Sequence, residues 1–326
     1  MGYRLQRNES VPEGLRRIAG EQLDSAADEL GKTGKSRATG IHEARKSIKK
    51  VRAVLRLMRG ELGDTYAKEN ARLGRIGRQL SGLRDATASI EIFDALQKRH
   101  PEELPLRIFK TIRLKLAARR AESERRGNVA GAIKTIAATL RSASERVKAW
   151  PLEKDGFAAI APGLESTFRA GRKALARAQK RPRPENYHEW RKRVKDHWYH
   201  IRLIEDLWTD VLHGYEKSLK ELETWLGDDH NLVVLRETIE ATPEFYGMSK
   251  EVAALYDLME NYQKELRGNA VSLGQRIYAV KPKQFTDRMK HLWDAWQAEP
   301  KSLEKIEKRQ RQPSAQVQQG GQLQVA

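Results

Sequence analysis

Cysteine is absent from the 326 residues. Its absence excludes disulfides, Cys-ligated zinc, iron–sulfur clusters and thiol chemistry. It constrains the compartment only weakly, and the cytoplasm is the expectation. Long apolar runs are lacking too. No stretch approaches the roughly 18 uninterrupted apolar residues that a membrane span needs. The segment from Met1 to Ser10 has no apolar core, so no signal peptide is expected. Alternating, β-branched strand patterns are missing. Acids are in deficit, with 44 Asp and Glu against 62 Lys and Arg, a net charge of +18. Surface-rich helices account for the 33% charged content but not for its sign. The bias favours an anionic partner: nucleic acid, an anionic membrane surface or a phosphate polymer.

What remains is helical periodicity nearly throughout, which predicts an all-α fold. Leu15, Ile18, Leu23 and Leu30 fit one face of a helix from about Pro12 to Leu30. GKTGKSRATG (Gly31 to Gly40) reads as a glycine-punctuated loop. It lacks the glycine spacing and the preceding strand of a phosphate loop. Further helices are predicted at 41–59, 65–80, 84–98, 106–126 and 129–149. Pro151 and Gly156 mark the middle. The second half predicts helices at 162–179, 187–212, 214–226, 230–240, 249–278 and 283–297. Pro162 is placed in a first turn, and Pro243 is read as a stop. The division is an N-terminal segment 1–9, a first repeat 10–150, a second repeat 151–297 and a Gln-rich tail 298–326. The tail has too few apolar residues to pack and reads as disordered.

Sliding the chain against itself exposes a duplication. At an offset of 146 residues, IHEARKSIKKVRAVLRL (Ile41 to Leu57) falls on YHEWRKRVKDHWYHIRL (Tyr187 to Leu203). His42 meets His188, Lys49 meets Lys195 and Arg56 meets Arg202. Without a gap, Leu80 meets Leu226, Arg84 meets His230 and Asp85 meets Asn231. On a helical wheel Ile41, Ala44, Ile48, Val51, Leu55 and Met58 share one side. His42, Arg45, Lys46, Lys49, Arg52 and Arg56 form a separate stripe, roughly 120° wide. The second stripe holds His188, Arg191, Lys192, Lys195, Tyr199 and Arg202, with Trp198 in the place of Arg52. Glu43 points away on the wheel, and no acid enters either stripe. Solvated faces usually mix signs, because Glu–Lys pairs four apart stabilise a helix. A sign-pure stripe found twice in register therefore points to an anion.

HEARKSIKKVR from His42 and HEWRKRVKDHW from His188 resemble the paired motif of the CHAD family, the conserved histidine α-helical domain. LSGLRD (Leu80 to Asp85) resembles that family's L-x-x-L-R-D segment, with LGDDHN (Leu226 to Asn231) as its counterpart. The resemblance covers roughly residues 10–297. It implies two four-helix bundles related by a pseudo-twofold axis, with a basic cleft or pore between them. It also implies binding of inorganic polyphosphate and association with polyphosphate granules. The residues it carries over are His42, Arg45, Lys46, Lys49, Arg52 and Arg56, then His188, Arg191, Lys192, Lys195 and Arg202, with Arg84 and His230 added. At Asp196 and Trp198 the second copy loses basic residues, which suggests a stronger grip by the first. No E-x-E-x-K signature of a triphosphate tunnel domain occurs at this N-terminus.

Polyphosphate has charge on every unit and no bases, so a site for it needs many cations and no sequence readout. Arg offers forks and Lys point charges. Unperturbed histidines would charge between about pH 7.5 and 6 and tighten binding there. Metal, cofactor and catalytic roles are not expected. His197 lies at the Val51 position and reads as core, and His200 points elsewhere. Glu43 and Glu189 lack a nucleophile motif and read as ion-pair partners. The tryptophans, Trp190, Trp198, Trp208 and Trp225, read as packing. Lys68, Arg72 and Arg75 share a face that is either cationic surface or solvated. A nucleic-acid-binding helical protein, using the same basic surface, is the alternative. An enzyme acting on a phosphorylated substrate has no acid–base–metal constellation behind it.

Overall fold

The computed structural model describes residues 2–300 apart from 83–84, 104–105, 127–128 and 242–248. Among the described residues there are eleven α-helices and no strand, so the fold is all-α. In chain order they are α1 (Val11–Leu30), α2 (Arg37–Leu57), α3 (Arg59–Gly82), α4 (Asp85–Arg99), α5 (Leu106–Arg126) and α6 (Val129–Val147). There follow α7 (Gly156–Lys180), α8 (Pro184–Leu203), α9 (Thr209–Glu240), α10 (Ser249–Ile277) and α11 (Pro282–Ala298). Arg84, Pro243 and the tail from residue 301 lie outside the described residues.

Local chemistry sets the helix starts. Ser10 caps α1: its Oγ accepts from the Glu13 amide, and the Glu13 carboxylate accepts from the Ser10 amide. This reciprocal box satisfies donors that have no intrahelical partner. Asp155 caps α7, so that helix begins at Gly156 rather than at the Pro162 expected from sequence. Pro162 therefore lies inside α7 and not in its first turn. The predicted loop 31–40 also shortens, because α2 starts at Arg37. Gly40 is helical, and a Cβ there would lie 2.2 Å from the Glu29 carbonyl oxygen. That glycine permits the close approach of α1 to α2 rather than a turn.

The helices pack in a chain of neighbours. α1 lies against α2 and α6, and α2 also lies against α3. In the second half α7 lies against α8 and α11, and α8 also lies against α9. So α8 meets α7 and α9 as α2 meets α1 and α3. The halves join where α2 packs on both α7 and α8. Gly163 of α7 makes that junction possible, since a Cβ would fall 2.0 Å from the Leu57 carbonyl oxygen.

Among the described residues the buried apolar side chains form two cores, and each draws on both halves of the chain. The larger unites Leu15, Ile18, Ile48 and Leu55 with Phe168, Trp190, Leu219 and Leu222. The smaller unites Phe93, Leu96 and Ile112 with Leu232, Leu235 and Met259. Each large apolar side chain so buried contributes about 1.5–3 kcal/mol. Helix α9 contributes to both cores. Sequence predicts two helices there, broken around residues 227–229, and a preceding helix running to 212. The structure instead ends α8 at Leu203 and runs one 32-residue helix. The break does not occur because Asp229 is buried and accepts from Arg267 at 2.7 Å, while Gly227 faces Arg191.

A candidate polyanion site where the two histidine helices meet

Helices α2 and α8 are held together by a buried hydrogen bond. The His200 ring donates through Nε2 to the Ala53 carbonyl at 2.9 Å. His200 was expected to point elsewhere on the wheel, yet it is fully buried at this junction. Its counterpart at the 146-residue offset is Val54. The duplication extends to contacts. Arg52 Nε donates to Asn70 at 3.0 Å, and Trp198 Nε1 donates to Glu216 at 2.5 Å. Both partners sit at matching positions of the two copies.

Four of the sequence-predicted cations converge. Lys49 of α2 is half-buried. Burial, followed by the positive charges of Lys195, Arg45 and Arg191, pushes its pKa well below the ordinary lysine value, with Glu223 as the opposing charge. Burial likewise brings Lys195 down to about 8, opposed by Glu223 and reinforced by Arg191. Two lysines, one from each copy, thus share surroundings with an arginine from each copy. Like charges that share a half-buried site repel one another.

Glu223 of α9 is the residue that sequence reasoning missed. It is 4% exposed. Its Oε1 lies 2.7 Å from Lys195 Nζ and 3.2 Å from Arg191 Nη2, and its Oε2 lies 2.9 Å from Lys220 Nζ. Burial alone would raise this carboxyl, but Lys195, Arg191 and Lys220 hold it well below the carboxylate range. Neither stripe contains an acid along its own helix, so the wheel could not reveal one arriving from α9.

The remaining predicted residues fall into smaller groups. Lys46 pairs with Glu43 at 2.8 Å and Lys192 with Glu189 at 3.3 Å. Glu43 therefore reaches the stripe that the wheel kept clear of it, through the flexibility of an i,i+3 pair. His42 Nε2 lies 3.9 Å from Glu43. Arg56 donates to Asp196 at 2.9 Å across the two copies. Asp196, read in the sequence as a lost base, is a buried counterion. Arg202 lies over the rings of Tyr3 and Trp198 at 5.7 and 5.4 Å, so the N-terminal segment also contributes here. Lys50 lies 5.3 Å from the same Tyr3 ring. Burial, then repulsion from Arg202, takes Lys50 to about 8. On the next helix, Arg72 is tied to Glu69, which also holds Arg146.

His188 and His230 lie side by side, ring centroids 4.1 Å apart. Burial and neighbouring charge lower both to about 4: Lys192 and Arg191 act on His188, and His188 and Arg191 on His230. These two rings are neutral between pH 7.5 and 6, which overturns the expected histidine titration at those positions. Burial, not sequence context, is the cause. His197 is core, as its wheel position indicates.

Among the described residues, no three or more His, Asp or Glu side chains are grouped to hold a metal ion. No described helix is long and apolar enough to cross a membrane. No curated relative matches the chain. A family model described as the CHAD domain matches residues 17–240, from α1 to the end of α9. That match takes in both histidine helices and the helices that carry Asn70, Glu216 and Glu223, and the chain belongs to the CHAD domain family.

Proposed function

We propose that this protein binds inorganic polyphosphate, without catalysis, at the α2–α8 junction. The observation that carries the reading is the convergence of Lys49 and Lys195 with Arg45 and Arg191. A polyanion threaded there offsets the mutual repulsion of these cations. His42, Arg52, Arg56, Lys46, Lys192, Arg202, His188 and His230 extend the surface. His188 and His230 act as neutral N–H donors. Binding through such cations releases counterions and weakens with salt.

At the junction itself, the covered ring of Trp198 supports polyphosphate over nucleic acid. Base stacking needs an open ring face. Trp198 is 9% exposed, with Arg202 and Lys220 set against its ring at 5.4 and 4.9 Å. Association with polyphosphate granules, in the cytoplasm, follows as the cellular expectation. Competition at fixed salt tests the function. Long-chain polyphosphate should resist displacement by duplex DNA or RNA at matched phosphate concentration; efficient displacement would sink the reading. Charge reversal at Arg45 and Lys49 together with Arg191 and Lys195 should abolish binding while far-UV circular dichroism stays helical. Retained binding in that folded variant would remove the junction as the site.

A further inference from the structure

The turn from α7 into α8 reads Arg181-Pro182-Arg183-Pro184. A residue before proline is held extended, and both Arg181 (φ −139°, ψ 87°) and Arg183 (φ −100°, ψ 150°) are. Further bonds pin this backbone. The Arg181 amide donates to the Arg177 carbonyl at 2.9 Å, and the Arg183 amide to the Arg181 carbonyl at 2.8 Å. Asn186 Nδ2 donates to that same Arg181 carbonyl at 2.7 Å. The bases of the two arginines are therefore fixed while the residues themselves are exposed. With Arg177 and Lys180 from the last turn of α7 they line an open pocket of ≈770 Å³, within the range of roughly 300–1,000 Å³ usual for ligand sites. Glu185 is the one acid that lines it. Among the described residues none of these four cations has an ion pair. Exposed lysines on α10 and α11 are paired instead: Lys264 with Glu260, Lys283 with Asp287 and Lys290 with Asp294. The C-terminal dipole of α7 accounts for Arg177 and Lys180. It amounts to about half a charge, so it does not account for Arg181 and Arg183 as well.

We propose that Arg177, Lys180, Arg181 and Arg183 form a second phosphate subsite, at the head of α8, for the stretch of a polyphosphate chain that extends beyond the α2–α8 junction. This rests on the junction being the polyanion site. Pro184 stands four residues before His188 and on the same face of α8, so the turn prolongs the second stripe. Arg183 precedes Lys195 by twelve residues, about 18 Å along the axis at about 1.5 Å per residue. Arginine forks suit phosphate oxygens, and the fixed backbone lowers the cost of ordering them. A short chain fills one site or the other. A long chain holds both, and its second contact forms at the effective concentration that the first one sets. The subsite thus selects for chain length.

Arg181→Gln combined with Arg183→Gln tests it, with tripolyphosphate and long-chain polyphosphate as probes in isothermal titration. Long-chain affinity should fall roughly tenfold, the scale of two exposed ion pairs. Its log K against log salt should flatten by about 1.4–1.8, as for two fewer phosphates neutralised. Tripolyphosphate is too short to span both sites, and its affinity at the junction should not change. The turn lies about 18 Å away, more than two Debye lengths of about 8 Å at physiological salt. Lys283→Gln combined with Lys290→Gln on α11 removes the same net charge and should alter neither probe. All four substituted residues are exposed, and far-UV circular dichroism checks that both variants stay helical. Unchanged long-chain affinity in the turn variant, an equal loss for both probes, or an equal loss in the α11 variant overturns the proposal while the proposed function stands. Long-chain binding that is lost in the turn variant but retained in the charge-reversed junction variant would keep the turn as a phosphate site and reject the proposed function. Binding of neither probe by wild type would reject both.

Discussion

Neither ring nitrogen of His197 has a hydrogen-bond partner. The ring is 1% exposed and sits among Phe168, Tyr215, Tyr278 and Phe285. Burial drives its pKa to about 3, and that of His200 to about 4. Both lie below the unfolded value of about 6.5. As pH falls, the unfolded chain takes up these protons first, so stability is lost as pH drops below about 6.5. At pH 5 each histidine costs about 2 kcal/mol. His197→Leu should therefore lose about 2 kcal/mol less than wild type between pH 7 and pH 5, measured by urea unfolding. At pH 7 it should be no less stable, since two unsatisfied nitrogens leave the core. An unchanged pH dependence would mean that His197 is not buried as a neutral ring. The wheel placed His197 correctly because its apolar face is local. It misread Asp196, whose partner Arg56 lies 140 residues away.

At the scale of the helix, Asp155 joins the starts of two elements. Its Oδ1 accepts from the Gly156 amide at the head of α7 and from the Val11 amide at the head of α1, both at 2.7 Å. An N-cap is worth about 1 kcal/mol. Asp155→Ala should therefore cost about 2 kcal/mol in urea unfolding, roughly twice the single-cap value. A loss below about 0.5 kcal/mol, within the range of an ordinary surface change, would show that the two contacts carry no stability. This double cap was not legible: the sequence suggests a break near Pro151 and Gly156, not a bond to Val11. Most helices were legible, because apolar spacing is a local property; 106–126 and 249–278 coincide closely with α5 and α10. The misjudged segments share one cause. The sequence places Gly40 in a loop, Pro162 in a first turn and Gly227 between two helices, but tertiary contacts or an earlier cap keep each inside a helix. The long α9 is continuous because it serves two cores, and only the folded chain shows there are two.

Across the whole molecule, the charge stripes were legible but their meeting was not. Periodicity gives a face to Lys49 and to Lys195 separately. Only the packing of α2 on α8 sets them together and brings Glu223 between α8 and α9. That convergence moves the pH window of binding. The groups poised near neutrality are Lys195 and Lys50, both at about 8, with Lys49 also depressed. A bound polyanion raises their pKa values, so binding takes up protons and affinity falls as pH rises. Asp228, lifted by burial to about 6, adds a loss of the same sign at lower pH. On the proposed function, polyphosphate affinity should drop by roughly tenfold for each lysine coupled in this way between pH 7 and 9. Lys195→Arg should flatten part of that fall, because a guanidinium stays charged throughout. Isothermal titration in two buffers of different ionisation heat measures the proton uptake directly. If wild type takes up no protons at pH 8, or Lys195→Arg keeps the full slope, Lys195 does not meet the ligand. The convergence would then be a feature of packing rather than of binding.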